Sequence, residues 1–327
     1  MRVALLDDYQ GVALQMADWA SLPLDVTVEA FPDHLTEEDA LAARLHDFDV
    51  VMALRERTPF PRSLLTRLPN LKLLTTAGMR NAAIDVEAAT ELGILVCGTS
   101  GSGAGTPELT WGLILALLRQ IPREHQATRA GGWQETVGVD LQGKTLGLIG
   151  LGNIGSRVAR VGAAFGMNLI AWSQNLTEAR AAECAATLVG KDELLARADV
   201  ITIHLQLSAR TRGLLGAREL GLIQPGAFLV NTSRGPIVEE AALVDALKRR
   251  AIAGAALDVF DQEPLPSGHP LLALENVVLT PHLGYVTHDS YRVFYGQTLE
   301  NVQGLLAGTP KRVINPTALP HRRSIRV

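Results

Sequence analysis

Three short polar clusters hold the residue types from which acid–base chemistry is built: Val230-Asn-Thr-Ser-Arg-Gly-Pro236, Leu257-Asp-Val-Phe-Asp-Gln-Glu-Pro264 and Leu279-Thr-Pro-His-Leu-Gly284. Each follows a short apolar run that reads as a buried strand. In an open α/β sheet ligands sit beyond the carboxyl ends of the strands, so Arg234, Glu263 and His282 are offered to one rim. Those three types suit the reduction of a 2-oxo acid. Arginine presents a planar fork of donors to a carboxylate or ketone oxygen, and histidine delivers a proton near neutral pH. A carboxylate beside an imidazole orients it and favours its charged form. Taken singly, each residue has a duller reading as a loop cap, a surface charge or a satisfied core histidine. Their joint placement at successive strand ends is what points to a site.

The elements that must position these residues are organised around Thr145-Leu-Gly-Leu-Ile-Gly-Leu-Gly-Asn-Ile-Gly-Ser-Arg-Val-Ala159, a buried strand, a glycine turn and a helix start. Gly150 permits the tight turn, Gly152 lets the backbone approach a pyrophosphate, and Gly155 lets the helix pack closely. The first amides of that helix carry the positive end of its dipole, so a phosphate binds there with little side-chain help. From residue 141 onward the pattern predicts strands at 145–149, 169–172, 200–203, 227–231, 255–259 and 277–279, enough for a doubly wound dinucleotide-binding sheet. Before it, strands are predicted at 3–6, 26–30, 50–54, 73–75 and 95–97, with helices such as 37–45 and 86–91 between them. Such alternation implies a second, smaller parallel sheet covered by helices.

Between the halves, the small-residue run 98–106 reads as a linker or hinge. A helix follows, with Thr106 as its cap and Pro107 as its first residue. It is apolar nearly all round to Arg119, so burial between domains or subunits is expected. After His282 one more helix is predicted at about 290–306, followed by a polar tail rich in Pro and Arg.

A chain of 327 residues suits two domains. Its 47% apolar and 20% charged residues fit a soluble globular protein. The net charge of −4 with no basic block argues against a nucleic-acid partner. Cys97 and Cys184 have no ligand partners at metal-site spacing, so they read as reduced thiols of a cytoplasmic protein, and no metal is expected. A first strand starting almost at Met1 leaves no room for a signal segment. The longest apolar run, 111–118, is far short of the ~20 residues a membrane span requires.

The ordered set Gly150-Leu-Gly-Asn-Ile-Gly155, Asn231-Thr-Ser-Arg-Gly235, Leu257-Asp-Val-Phe260 with Glu263-Pro264-Leu265, and Thr280-Pro-His-Leu-Gly284 resembles the NAD(P)-dependent D-isomer-specific 2-hydroxyacid dehydrogenases over nearly the whole chain. The resemblance implies an α/β fold of two doubly wound parallel-sheet domains. A Rossmann-type cofactor domain, 100–287, would be inserted in a flavodoxin-like substrate domain, 1–99 and 288–327. His282 would be the general acid for a D-2-hydroxy acid/2-oxo acid pair, Glu263 its carboxylate partner, and Arg234 the group that binds and polarises the substrate. Asp258 would hold the nicotinamide end of the cofactor. Asn153 and Ile154 would present amides to the pyrophosphate, Thr232 and Ser233 would line the nicotinamide side, and His204 and Gly284 would lie beside the dinucleotide.

In the first domain, Ala77, Gly78 and Met79 occupy the family's carboxylate-gripping loop, although Met79-Arg-Asn81 departs from the usual Val and small residue. Arg55 and Arg57, two apart beyond a strand, could face one anion such as a substrate phosphate; a solvated surface turn is the equal alternative. Where NAD enzymes of this fold place an acid at the end of the second strand, this chain has Ser173, with Arg180 the nearest cation. Without that carboxylate a 2′-phosphate meets no repulsion, so NADP is possible; NAD is expected because it is the commoner cofactor of the family that the chain resembles.

The small-molecule partner implied is 3-phosphoglycerate or a hydroxypyruvate or glyoxylate pair. The resemblance also implies a homodimer, with the helix from Pro107 and the Trp133 segment as its contacts, and closure of the domains about hinges at 98–106 and 284–291. The chain ends at Val327, so the C-terminal regulatory domain of some phosphoglycerate dehydrogenases is not expected. A second reading on the same fold is a corepressor-like protein that uses the dinucleotide as a conformational ligand.

Overall fold

The computed structural model describes residues 1–101 and 103–324; Ser102, inside the small-residue run, and the last three residues of the tail lie outside them. The chain forms two compact units, Met1–Ser102 with Thr287–Val327, and Gly103–Val286.

In the first unit the strands are β1 Arg2–Leu5, β2 Thr27–Ala30, β3 Val50–Ala53, β4 Leu73–Thr76 and β5 Leu95–Cys97. They pair in the order β2-β1-β3-β4-β5, all parallel. That is the flavodoxin-like order. The central strands β3 and β4 are buried at every position, which is why their sequences VVMA and LLTT read as continuous apolar runs without alternation. The last long helix, His288–Leu306, belongs to this unit. Its Thr287 cap accepts the Ser290 N–H at 3.1 Å, so the helix starts two residues before the predicted Ser290.

In the second unit the strands are β6 Thr145–Ile149, β7 Asn168–Trp172, β8 Thr187–Leu188, β9 Val200–Ile203, β10 Phe228–Asn231, β11 Gly254–Leu257 and β12 Val277–Leu279. Their order is β12-β11-β10-β9-β6-β7-β8, all parallel. The sheet has seven strands where the sequence predicts six, because β8 is only two residues long and too short to show a pattern. Side chains alternate between two cores: Ile149, Ile203, Leu229 and Leu257 point into one, and Leu148, Val200, Val230 and Ala256 into the other.

Register explains the position of the site. Ile149 pairs with Ile203, Ile203 with Asn231, Asn231 with Leu257, and Leu257 with Leu279. Five strands therefore end level, and the next residues along the rim are Gly150, His204, Thr232, Asp258 and Thr280.

The helix after the small-residue run departs from expectation at its start. It spans Gly105–Leu118 with Ala104 at its N-cap, so Thr106 and Pro107 lie inside the first turn. Thr106 is not free to cap because its Oγ1 donates to the Gly284 carbonyl at 3.0 Å. One side is covered by its own unit, where Trp111, Leu113, Ile114, Leu117 and Leu118 join the core that contains β6 and β10 residues, while Leu109, Leu115 and Ala116 are only partly buried and Gly112 is exposed. No helix among the described residues is long and apolar enough to cross a membrane.

Candidate active site

The rim of the second sheet gathers Arg234, Asp258, Glu263 and His282. Glu263 Oε2 lies 2.6 Å from His282 Nδ1, and Glu263 Oε1 accepts the Phe260 N–H at 2.9 Å. One carboxylate thus fixes its own loop and orients the imidazole. With Nδ1 turned to Glu263, Nε2 is the ring atom left to exchange a proton with a ligand. The ring is also braced edge-on by Tyr285, with centroids 5.4 Å apart and planes at 67°.

His282 takes φ +55°, a left-handed conformation uncommon outside glycine. Asp258 holds it there. This fully buried carboxylate accepts from Thr280 Oγ1 at 2.6 Å, Leu283 N–H at 2.7 Å and Gly284 N–H at 2.9 Å, gripping the loop on both sides of His282. Burial pushes the Asp258 carboxyl up, and the Thr280, Leu283 and Gly284 donors together with the charge of His282 oppose that rise. The role expected for Asp258, contact with a nicotinamide, is thus preceded by a structural one.

The backbone at Arg234 is set by its neighbours, and its Nη1 donates to the Ser233 carbonyl at 2.7 Å. The Asn231 amide donates to the Arg234 carbonyl at 2.9 Å and accepts the Ser233 N–H at 3.0 Å, folding the chain back as it leaves β10. Ser233 Oγ donates to the Ile203 carbonyl at 2.6 Å, and Thr232 Oγ1 lies 2.9 Å from Thr110 Oγ1, so both hydroxyls anchor this loop. Gly235 then crosses the Phe260 backbone so closely that a Cβ would sit 2.1 Å from its carbonyl carbon. Asn231 and Gly235 escaped the sequence reading as site-builders. The spacing Asn231 to Ser233 is an Asx-turn signal, whereas a crossing of two distant loops leaves no mark in sequence.

The glycine turn fits a dinucleotide. Gly150 has φ +99°, and a Cβ there would meet the His204 carbonyl oxygen at 2.6 Å; at Gly155 it would meet the Gly150 oxygen at 2.1 Å. At Gly152, by contrast, it would meet nothing within 4 Å. The helix Asn153–Ala164 that starts here has Gly152 at its N-cap and no side-chain cap, so the first amides, Asn153 and Ile154 among them, face that open space. Beside it, burial pushes the His204 imidazole down to about 3, and its Nδ1 is buried without a hydrogen-bond partner, its Nε2 lying 3.0 Å from Thr202 Oγ1. Ser173, directly after β7, has no cation delivered to it by Arg180, which pairs with Glu183 at 2.6 Å.

In the first unit Arg55 and Arg57 make separate contacts within the chain. Arg57 donates to the Asp7 carbonyl at 2.9 Å and stacks 4.6 Å from the Tyr9 ring, whereas Arg55, at φ +60°, donates to the Ala77 carbonyl at 3.1 Å. The left-handed turn at Arg55 rotates the two guanidiniums onto different segments. In the expected carboxylate-gripping loop the Ala77 N–H donates to Ala53 O at 3.2 Å and the Gly78 N–H to Thr99 Oγ1 at 2.9 Å. Those two amides are spent on holding the loop, and the exposed part begins at Met79.

Comparison with known proteins agrees with this arrangement. The family model described as D-isomer specific 2-hydroxyacid dehydrogenase, NAD binding domain, matches residues 111–284. The chain is 41% identical over 263 residues to a glyoxylate reductase of Aeropyrum pernix, covering 77% of this chain and 78% of that one. It is 38% identical over 294 residues to a D-3-phosphoglycerate dehydrogenase of Methanocaldococcus jannaschii, covering 88% of this chain and 56% of that one. The chain spans about half the length of the curated phosphoglycerate dehydrogenases it matches. A crystal structure of a phosphoglycerate oxidoreductase from Vibrio cholerae O395 superposes with a TM-score of 0.89 at 38% identity, over 94% of this chain and 99% of that one. A level strand rim with a carboxylate-held histidine, a glycine turn open at its middle residue, and a match across the whole second sheet make this chain a member of the D-isomer specific 2-hydroxyacid dehydrogenases.

Proposed function

We propose that the chain is an oxidoreductase that interconverts a small 2-oxo acid and its D-2-hydroxy acid, with NAD as cofactor and NADP tolerated. The observation that carries this reading is the His282–Glu263 pair at 2.6 Å on the strand rim that also holds Arg234. A bound nicotinamide supplies or accepts the hydride. The chain's own residues do the rest. Arg234 binds the substrate carboxylate and polarises the 2-oxo group. His282 gives its Nε2 proton to the carbonyl oxygen as the alcohol forms, and takes it back in the reverse direction. Glu263 stabilises the charged imidazole and keeps its plane fixed. Asn153 and Ile154 amides would hold the pyrophosphate, and Ser173 leaves room for either ribose form because it carries no charge to repel a 2′-phosphate.

The names of the relatives put 3-phosphoglycerate and glyoxylate chemistry first among the substrates to test. Absorbance at about 340 nm reports nicotinamide turnover. NADH and NADPH should each be tried with hydroxypyruvate, glyoxylate, pyruvate and 3-phosphohydroxypyruvate, with His282→Ala as control. Turnover that vanishes in the control supports the reading; turnover that survives it refutes the role given to His282.

Homodimerisation is part of the same proposal. Ile121, Trp133 and Val137 are 51%, 78% and 95% exposed within one short stretch, an apolar surface of the kind that a second copy covers. The partly buried Leu109, Leu115 and Ala116 of the preceding helix offer a second apolar face, and that helix together with 121–137 would form the contact. Sedimentation equilibrium showing only monomer at micromolar concentration would remove it. Two unpaired cysteines, Cys97 buried and Cys184 partly so, support a cytoplasmic location.

A further inference from the structure

Glu263 works from a loop that offers little to fix it. Between β11 and the short helical turn Pro270–Ala273 the chain carries Pro264, Pro266 and Gly268, and Asp261, Gln262 and Glu263 are exposed. Both ends of this loop nevertheless meet one carboxylate on another element. Glu240 is the first residue of the helix Glu240–Lys248, a few residues beyond Arg234. Its Oε1 lies 2.9 Å from His269 Nε2, and its Oε2 accepts the Asp261 N–H at 3.4 Å. His269 Nδ1 accepts the Leu271 N–H at 3.3 Å, which leaves the proton on Nε2 and makes that atom the donor to Glu240.

Resting on the dehydrogenase reading, we propose that Glu240 is a positioning residue whose carboxylate closes the loop 261–269 and so keeps Glu263 against His282 Nδ1. The connection is short. Asp261 adjoins Phe260, whose N–H is the second ligand of the Glu263 carboxylate, and Gly235 lies against that same Phe260 backbone. Opening the loop at Asp261 therefore removes Glu263 from Phe260 and His282 together. A like charge tends to open it: partial loss of solvation and then the charge of Glu240 push the Asp261 carboxyl up, with Arg212 and His269 opposing. The Glu240–His269 bond, with side chains 25% and 14% exposed, is the better shielded of the two links and carries the closure.

The experiment compares wild type, Glu240→Ala and Glu240→Gln by steady-state kinetics, dinucleotide binding and hydrogen-exchange mass spectrometry. In Glu240→Ala, kcat should fall about tenfold or more, while dinucleotide Kd stays within about twofold because the glycine turn is untouched. Exchange should quicken in peptides covering 260–271 and stay as in wild type across 145–160. Glu240→Gln should fall between, since its amide oxygen still accepts from His269 while its NH2 group faces the Asp261 N–H. An active wild type with Glu240→Ala matching it in kcat overturns the proposal, as does unchanged exchange in 260–271. Faster exchange throughout the second unit with weakened dinucleotide binding also overturns it, showing Glu240 to be a general stabiliser. A wild type that turns over none of the acids offered overturns the reading beneath the proposal instead, and the exchange data keep the two failures apart.

Discussion

Alanine at Gly155 should cost stability, whereas alanine at Gly152 should cost dinucleotide binding and leave stability nearly as it is. At Gly155 the new Cβ would lie 2.1 Å from the Gly150 oxygen, against the 3.0 Å below which real contacts are essentially never found, so the helix must shift by most of an ångström. Overpacking of that kind costs about 1–3 kcal/mol, of which the better helix propensity of Ala returns up to about 1 kcal/mol. Because the clash is with backbone the cost lies at the upper end, leaving about 2 kcal/mol after that return; at about 2–4 °C in Tm per kcal/mol for a unit of this size, a fall of roughly 4–8 °C is expected by calorimetry. At Gly152 the Cβ meets nothing within 4 Å and φ is −79°, open to any residue. The substitution should leave Tm nearly unchanged: it restricts the unfolded chain by about 0.4–1 kcal/mol, and the poorer N-cap that Ala makes offsets this by a similar amount. It should nevertheless weaken NADH binding tenfold or more, a loss of about 1.4 kcal/mol, because the methyl stands where the helix amides would receive the pyrophosphate. Fluorescence titration measures the second effect. Wild-type affinity in Gly152→Ala would refute the placement of the dinucleotide, and an unchanged Tm in Gly155→Ala would refute the packing argument.

Three further outcomes are expected. Asp258→Asn turns an NH2 group toward one of the N–H donors it now accepts, so about 1–3 kcal/mol of stability should be lost and kcat should fall; a variant with wild-type kcat would show that the loop holds His282 unaided. Glu219 is subject to burial, which raises its carboxyl, but hydrogen bonds from Lys191, its own backbone, Arg218 and the Gly216 N–H override this and hold it at about 2. A depressed carboxyl stabilises the fold above its unfolded pKa and loses that contribution as pH falls from about 4.5 to about 2. Urea titrations over that range should therefore show a flatter acid limb in Glu219→Gln, and an identical limb would contradict the assignment. Arg323 donates to the carbonyls of Leu92, Leu68, Pro69 and Leu71 at 2.7–3.1 Å, so Arg323→Ala should unfasten the tail and destabilise the first unit, read as a lower urea midpoint. An unchanged midpoint would mean that water serves those carbonyls as well.

What could be read from the sequence was whatever rests on local pattern. Continuous apolar runs such as Val50–Ala53 and Leu73–Thr76 mark strands buried on both faces, and the polar residues just past the runs fall on the rim because parallel strands in register end level. The glycine turn was legible because tight turn, open approach and helix packing each require glycine at a fixed offset. What failed depended on partners far along the chain. Thr106 is a sound cap by type, but Gly284, which takes its hydroxyl, lies far downstream. By spacing alone Arg55 and Arg57 suit one anion or a surface turn equally; their contacts, Ala77 for one and Asp7 with Tyr9 for the other, lie on distant segments that the spacing does not show. Nothing local to Glu240 announces His269.

The carboxylates at the rim divide the work by environment. Asp258 is fully buried and directs its oxygens at three donors of the loop that carries His282. Taking a carboxylate out of water is costly, and neutral donors offset that only when they are several and well aligned. What the arrangement gains is backbone control: His282 stays at φ +55°, a conformation that costs about 1–2 kcal/mol when nothing supports it. Glu263, half in solvent, can follow the imidazole as its charge changes, and its bond to the Phe260 N–H limits how far it follows. A buried carboxylate at Glu263's position would resist the protonation cycle through desolvation, and an exposed one at Asp258's position would let the loop relax. The division also predicts the order in which damage shows. Loss of Asp258 should move the histidine, loss of Glu263 should leave it in place but poorly oriented, and only the second should be repaired in part by a small carboxylate added to the solvent.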